Sequence, residues 1–196
     1  MAVPLQKQEV IITGFGGQGI ILAGKILGMA ASLGDKLEST LVQSYGPESR
    51  GGACCAQVVI SNAVIQYPYV TQADVLVAMS QSAYEKYRNI LKPEGFLLTD
   101  RDLVQPDDHP KGFSIPATRM AEELGRKMMA NIIMVGWFTA LTGIVSETAA
   151  RKAVTTSVPR GTEEINLKAF TRGYEFGAAV LTGKRKKAAG KTGAMP

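Results

Sequence analysis

The sequence predicts an α/β fold: a Rossmann-like, mostly parallel sheet with flanking helices, a hairpin at one side and a helical C-terminal part. Three observations carry that expectation. The β-branched run Glu9–Thr13 stops at a turn reading Gly14-x-Gly16-x-x-Gly19 and gives way to apolar residues at helical spacing. Physically this is a strand feeding a glycine turn that opens a helix. Ala73–Met79 is apolar almost throughout, as a central parallel strand buried on both faces should be. From Asn131 onward the apolar residues follow helical patterns only.

Taken in order, Glu9–Thr13 is the first strand, and the helix after it spans roughly Gly17–Leu33. That helix places Ile20, Ala23, Gly24, Leu27, Ala30 and Ala31 on one stripe. Gly24 and Gly28 thin it for close packing, and Gly34 ends it as a left-handed cap. Leu37–Val42 is a second strand, and the turn-rich stretch Gln43–Gly52 a loop. Ala53–Ile60 is a third strand, and Ser61-Asn62-Ala63 turns it into a short fourth, Val64–Tyr67, to make the hairpin. After the buried run Ala73–Met79, Ser80 caps a helix over Gln81–Leu91. Lys92-Pro93-Glu94-Gly95 then turns into a strand at Phe96–Thr99. Asp100–Lys111 is acidic and proline-broken, hence a surface loop, and Phe113–Pro116 is the last strand. Helices follow at Thr118–Lys127 and Asn131–Thr142. The second is apolar nearly all round and contains Trp137, which places it inside the domain or at a subunit interface. Ser146 caps a helix reaching Ser157. Gly161-Thr162-Glu163-Glu164 opens the last one, with Ile165, Ala169, Gly173 and Gly177 as its stripe.

Length and charge narrow the function. With 196 residues, 45% of them hydrophobic, the chain suits one domain over 1–181, followed by a basic tail at 182–196. That tail holds Lys184, Arg185, Lys186, Lys187 and Lys191 and no acid, and its composition predicts disorder. Removing those five from the 22 basic residues leaves 17, equal to the 17 acidic ones. The body is therefore neutral, which argues against a nucleic-acid-binding protein. No run reaches the roughly 18 apolar residues of a membrane span. Met1–Lys7 lacks the apolar core of a signal peptide, so a cytoplasmic protein is expected. Cys54 and Cys55 are adjacent, a spacing unsuited to a zinc or iron–sulfur site and to a mutual disulfide. They read as small buried residues in a reducing compartment.

The candidate site residues lie in two places. Gly14, Gly16, Gly17, Gln18 and Gly19 form the glycine turn, whose helix N-terminus can face an anion or a partner's backbone. Such a turn either binds a dinucleotide or serves only to shape the chain. Glu38 lies near where a dinucleotide fold puts its ribose-binding acid, but at the start of its strand instead of the end, as a solvated carboxylate would. Tyr45, Glu48, Arg50 and Gly51 belong to the second candidate, the loop after the second strand. If the sheet is parallel there, that loop sits at the carboxyl edge beside the turn. Arg50 can clamp a carboxylate or phosphate, or pair with Glu48 to stiffen a subunit contact. His109, the sole histidine, has no nucleophile or metal partner near it in sequence. No catalytic residue and no metal site is assigned to this chain.

Several stretches occur together and in this order in one family: Gly14-x-Gly16-Gly17-Gln18-Gly19, Gln43-Ser44-Tyr45-Gly46-Pro47-Glu48-Ser49-Arg50-Gly51-Gly52, Asp74–Gln81, and Val158-Pro159-Arg160-Gly161-Thr162-Glu163-Glu164-Ile165-Asn166-Leu167. Over residues 8–180 the chain resembles the gamma subunit of a 2-oxoacid:ferredoxin oxidoreductase, most similar to the 2-oxoglutarate type. The resemblance implies CoA-dependent oxidative decarboxylation of a 2-oxoacid, or the reverse carboxylation. It also implies thiamine diphosphate with Mg2+, four-iron–four-sulfur clusters and ferredoxin as electron acceptor. The chain lacks both a Gly-Asp-Gly motif with paired asparagines and a cysteine cluster motif. Those cofactors are therefore expected on the family's alpha, beta and delta subunits, with the turn and the Tyr45–Gly51 loop facing the partners' thiamine and coenzyme A cleft. The rival expectation is a free-standing NAD(P)-binding Rossmann oxidoreductase.

Overall fold

The computed structural model describes residues 7–45 and 53–192, with side chains placed over 7–44 and 54–183. Strands β1 (Gln8–Phe15), β2 (Glu38–Tyr45), β3 (Ala53–Ser61), β4 (Ala73–Ala78), β5 (Leu91–Asp100) and β6 (Gly112–Ile115) form one sheet in the order β2-β3-β1-β4-β5-β6. From β1 through β6 the neighbours are parallel, while β3 runs antiparallel to both β1 and β2. The mostly parallel α/β sheet with a hairpin at one side follows the sequence expectation, but the hairpin is made of other strands than expected.

The hairpin is β2–β3 and not β3 with Val64–Tyr67. Both edges of β3 are already taken by β1 and β2, so Val64–Tyr67 finds no ladder there. That segment is irregular, and the chain after it is held by side-chain contacts. Gln57 Oε1 accepts the Val70 N–H (2.9 Å), and the Glu9 carboxylate accepts those of Thr71 (2.6 Å) and Gln72 (3.0 Å). Pairing with β3 also carries β2 on through Gln43-Ser44-Tyr45, three residues predicted to be loop.

Helices α1 (Ile20–Met29), α3 (Ala117–Glu123), α4 (Ala130–Thr142), α5 (Glu147–Ser157) and α6 (Glu163–Thr192) share a core with Val10, Ile12, Val58, Val75 and Val77 on one face of the sheet. Helix α2 (Gln81–Tyr87) packs Tyr84 and Tyr87 on the other face against Ile11, Leu76 and Leu97. Alternation along β1 and β4 thus feeds two cores, which is why those strands read as continuous apolar runs.

Helix α1 continues as a π-helical turn, Ala30–Gly34. Gly34 is not left-handed; that conformation falls on Lys36 (φ 61°). What Gly34 provides is proximity, since a Cβ there would lie 2.3 Å from the Ala149 Cβ on α5. Gly24 does the same against Ala56 of β3 (2.6 Å). Ser80 occupies the N-cap of α2, yet its hydroxyl makes no cap bond. Ser146 caps α5 as predicted, accepting the Ala149 N–H (3.2 Å) while Asp35 holds its own N–H and hydroxyl. A 3-10 turn, Arg88–Ile90, leads directly into β5, so Lys92–Gly95 belongs to the strand and not to a separate turn.

Helix α4 is buried along nearly its whole length, with Trp137 fully enclosed by this chain. It crosses α6 at backbone contact. A Cβ on Gly136 would lie 2.1 Å from the Phe170 carbonyl oxygen, and one on Gly173 2.0 Å from that of Ile133. The small-residue stripe read from sequence is this crossing. Helix α6 runs on to Thr192, carrying helix into the segment whose composition predicted disorder. The Lys, Arg and Ala residues of that segment favour helix, whereas Gly183 and Gly190 disfavour it.

Candidate functional site

The glycine turn lies at the carboxyl edge, between the ends of β1 and β4, where the chain direction across the sheet reverses. Open α/β sheets bind ligands at that switch point. Phe15, Gly16 and Gly17 are exposed there, whereas Gln18 and Gly19 are half-buried. Gly17 (φ 96°) and Gly19 (φ 72°) are both left-handed, a conformation that a Cβ would strain.

Gln18 closes the crevice. Its Oε1 accepts the Phe15 N–H (2.7 Å) and its Nε2 donates to the Met79 carbonyl (2.8 Å), linking the ends of β1 and β4. Gly14 makes room for this, since a Cβ there would sit 2.4 Å from Gln18 Oε1. On the other flank Asn131, buried at the start of α4, donates from Nδ2 to the Gly19 carbonyl (3.1 Å). The first intrahelical bond of α1 runs from Ala23 to Gly19, so the N–H groups of Ile20, Ile21 and Leu22 have no intrahelical partner.

Two cavities flank the turn. One, of about 380 Å³, runs from Gly19 and Leu22 past Arg126–Met129 to Val158, Pro159 and Asn166. The other, of about 220 Å³, lies against Gly17, Gln18 and Thr118. Lys127 and Met128 line both. They belong to the 3-10 turn Lys127–Met129, and Met128 stands 74% exposed between them. Lys127 is paired with Glu122 at 3.5 Å, and Arg126 is exposed. Cationic groups and a helix N-terminus around a mostly apolar hollow suit an anionic ligand with an apolar arm.

Of the predicted site residues, the structure brings Gly14, Gly16, Gly17, Gln18 and Gly19 together in one turn. Glu48, Arg50 and Gly51 lie outside the described residues, as does the Tyr45 side chain. The loop's anchors are placed, however: Ala53 is paired with Phe15, and Tyr45 with Cys54. Strand β2 therefore ends and β3 begins at the carboxyl edge, beside the turn. Glu38 stands exposed at the first position of β2, at the opposite edge. His109 is half-buried, its Nδ1 accepting from the Lys111 N–H (3.3 Å), and it lines neither cavity beside the turn.

Sequence reading missed Arg126, Lys127, Met128 and Asn131. The Val158–Asn166 stretch was available as a signal, since it matched the family pattern without an assigned role. Asn131 gave none, because its partner lies 112 residues away.

The cysteines do not fit a cluster or metal. As successive residues of β3 they face opposite cores, Cys54 in one and Cys55 in the other. Burial pushes the Cys54 thiol up and the Cys55 thiol up to about 11, so both are held neutral. Among the described residues no group of three or more His, Cys, Asp or Glu is arranged to hold a metal ion. No helix there is long and apolar enough to cross a membrane.

Comparison with known proteins agrees with this architecture. Residues 9–176 match the profile of the family described as pyruvate ferredoxin/flavodoxin oxidoreductase. The chain is 51% identical over 174 residues to 2-oxoglutarate synthase subunit KorC of Methanocaldococcus jannaschii, covering 86% of this chain and 93% of that one. The gamma subunit of a keto/oxoacid ferredoxin oxidoreductase from Geobacter sulfurreducens superposes with a TM-score of 0.80 at 41% identity, over 89% of this chain and 98% of that one. The 2-oxoglutarate:ferredoxin oxidoreductase of Magnetococcus marinus, solved with 2-oxoglutarate, coenzyme A and succinyl-CoA bound, gives 0.79 at 26% identity. There the match takes in 89% of this chain but only 32% of that one. The chain belongs to the pyruvate ferredoxin/flavodoxin oxidoreductase family.

Proposed function

We propose that this chain is the gamma subunit of a 2-oxoglutarate:ferredoxin oxidoreductase, acting in CoA-dependent oxidative decarboxylation or its reversal. The observation that carries this is kinship with KorC subunits at about half identity over nearly the full length of both chains. The NAD(P) alternative is not favoured: Gln18 fills the switch point, and Glu38 lies at the wrong edge. Thiamine diphosphate, Mg2+ and the iron–sulfur clusters do not fit the residues of this chain, and we assign them to alpha, beta and delta partner subunits, with ferredoxin as electron acceptor. The Magnetococcus chain supports such a partner, because two thirds of its length lies beyond the unit shared with this one. We place the complex in the cytoplasm.

In this reading Gly14–Gly19 and the loop bearing Tyr45, Glu48, Arg50 and Gly51 form one wall of the partners' thiamine and coenzyme A cleft. Coenzyme A joins several negative charges to a long flexible arm, which suits a cationic rim over an apolar hollow. The N–H groups of the turn and of the first turn of α1 would receive an anionic group. Arg50 would clamp one from the opposite side.

Purification of the tagged chain from its own cells, with identification of what accompanies it, tests the assignment. A thiamine-binding subunit and 2-oxoglutarate-dependent ferredoxin reduction are expected; an isolated chain that oxidises a substrate with bound nicotinamide would overturn it. Arg50→Ala in the assembled enzyme should raise the KM for coenzyme A. Unchanged kinetics with assembly intact would remove the ligand role of that loop.

A further inference from the structure

Two side chains beside the turn have both functional atoms committed to the protein. Gln18 spends its amide on the Phe15 N–H and the Met79 carbonyl. Asn131 spends its own on the Gly19 carbonyl and the Ile132 N–H (2.8 Å). The first joins the ends of two parallel strands across the switch point. The second joins the start of α1 to the start of α4. Between them sits the exposed rim Phe15-Gly16-Gly17.

The fit leaves little slack. A Cβ on Gly14 would meet Gln18 Oε1 at 2.4 Å, and one on Gly19 would meet Asn131 Nδ2 at 2.2 Å. Glycine-rich backbone has more conformations open to it than any other, so a turn that only reversed the chain would need no such clamps. Here one clamp holds the Phe15 N–H between Gly14 and Gly16, and the other holds the carbonyl of Gly19, so the glycine backbone is tied at both ends.

We propose that Gln18 and Asn131 are positioning residues, holding the glycine turn in the one conformation that presents its N–H groups to an anionic group of coenzyme A. This rests on the reading above, in which this edge faces the coenzyme. With either clamp cut, the glycines sample other conformations, and binding the anion then carries the cost of ordering them. Gln18 is on this account a support for the ligand-facing backbone and not itself a ligand contact.

The test uses the assembled complex carrying Gln18→Met or Asn131→Leu, near-isosteric changes that remove both hydrogen bonds of each clamp. Three readings are taken: KM for coenzyme A against kcat and against KM for 2-oxoglutarate, hydrogen exchange across residues 14–22, and subunit content with melting temperature. The expected result is a rise of about tenfold in KM for coenzyme A, the scale of a sub-ångström misplacement, with kcat and KM for 2-oxoglutarate within about twofold. Faster exchange in the turn should accompany it. Either variant suffices if the other fails to assemble. An unchanged KM for coenzyme A, or a parallel loss of kcat and subunits, overturns the proposal. Failure to assemble in both variants also overturns it, since the clamps would then be scaffolding. The underlying reading is checked separately in the unmodified complex. If coenzyme A does not slow exchange at residues 14–22 or 45–52 there, that reading fails whatever the variants do.

Discussion

Substitution of Gly173 by Ala should destabilise this protein although alanine is the better helix former. The added Cβ would sit 2.0 Å from the Ile133 carbonyl oxygen and 2.8 Å from its carbon. Reaching even a 3.0 Å contact requires α4 and α6 to part by about 1 Å. Neither can yield cheaply. All of α4 except Ala140 and Thr142 is buried, and Trp137 on the same crossing already lies 3.1 Å from where a Cβ on Gly177 would be. Overpacking of this kind costs about 1–3 kcal/mol and occasionally more, while the gain in helix propensity is about 1 kcal/mol. The net loss is about 1 kcal/mol, or about 2–4 °C in melting temperature for a chain of this length. Gly183→Ala is the control: it lies in the same helix, and a Cβ there meets nothing within 4 Å. Thermal and urea unfolding of the full chain, followed by circular dichroism, measures both. A Gly173→Ala protein melting at or above the unmodified one would refute the account of the crossing.

Three further outcomes follow from described contacts. Both cysteines should resist iodoacetamide at pH 8 in the folded protein and react fully once it is unfolded in guanidinium, as intact-mass spectra would record; the Cys55 thiol is buried and held up to about 11. Burial pushes the Glu9 carboxyl up, but the Lys7 ammonium and the Thr71 and Gln72 N–H groups outweigh it and leave it below its ordinary value. A lowered folded value stabilises above the usual carboxylate range and fades as pH falls through it. Glu9→Gln should therefore cost about 1–2 kcal/mol at pH 7, with the gap closing in acid denaturant titrations. Titrated with NADH or NADPH, the isolated chain should show no micromolar binding by fluorescence or calorimetry, because the Gln18 amide occupies the switch point.

The elements legible in sequence are those whose cause is local. β1 and β4 announce themselves as β-branched runs because each feeds a core on both faces. Ser146 reads as a cap because its acceptor bond closes within three residues. Gly24 reads as a close-packing position and Gly173 as part of a buried stripe because a small residue on a helical stripe has few other uses. What failed depended on distant partners. Val64–Tyr67 has strand composition, but no free edge of β3 remains for it. Gly34 sits where a left-handed cap is common, yet it is needed for the approach of Ala149, 115 positions further on. At the site the glycines were visible and their clamps were not: one partner each of Gln18 and Asn131 is a main-chain carbonyl, 61 and 112 residues away.

The antiparallel β3 decides what this edge can do. In a dinucleotide-binding sheet the second strand lies next to the first, and its end reaches the ribose. Here β3 intervenes, so β2 stands two strand spacings from β1, about 10 Å away and not about 5. An acid anywhere on β2 is displaced from the nucleotide position by a whole strand. The same insertion has a second effect. Because β3 returns antiparallel, β2 ends and β3 begins at the carboxyl edge, Tyr45 opposite Cys54 and Ala53 opposite Phe15. The last residue of β2 and the first of β3 thus stand on the same edge as the glycine turn. A strand reversal that spoils the geometry for a nicotinamide cofactor brings, by the same step, the ends of β1 and β2 and the start of β3 to the edge that carries the glycine turn.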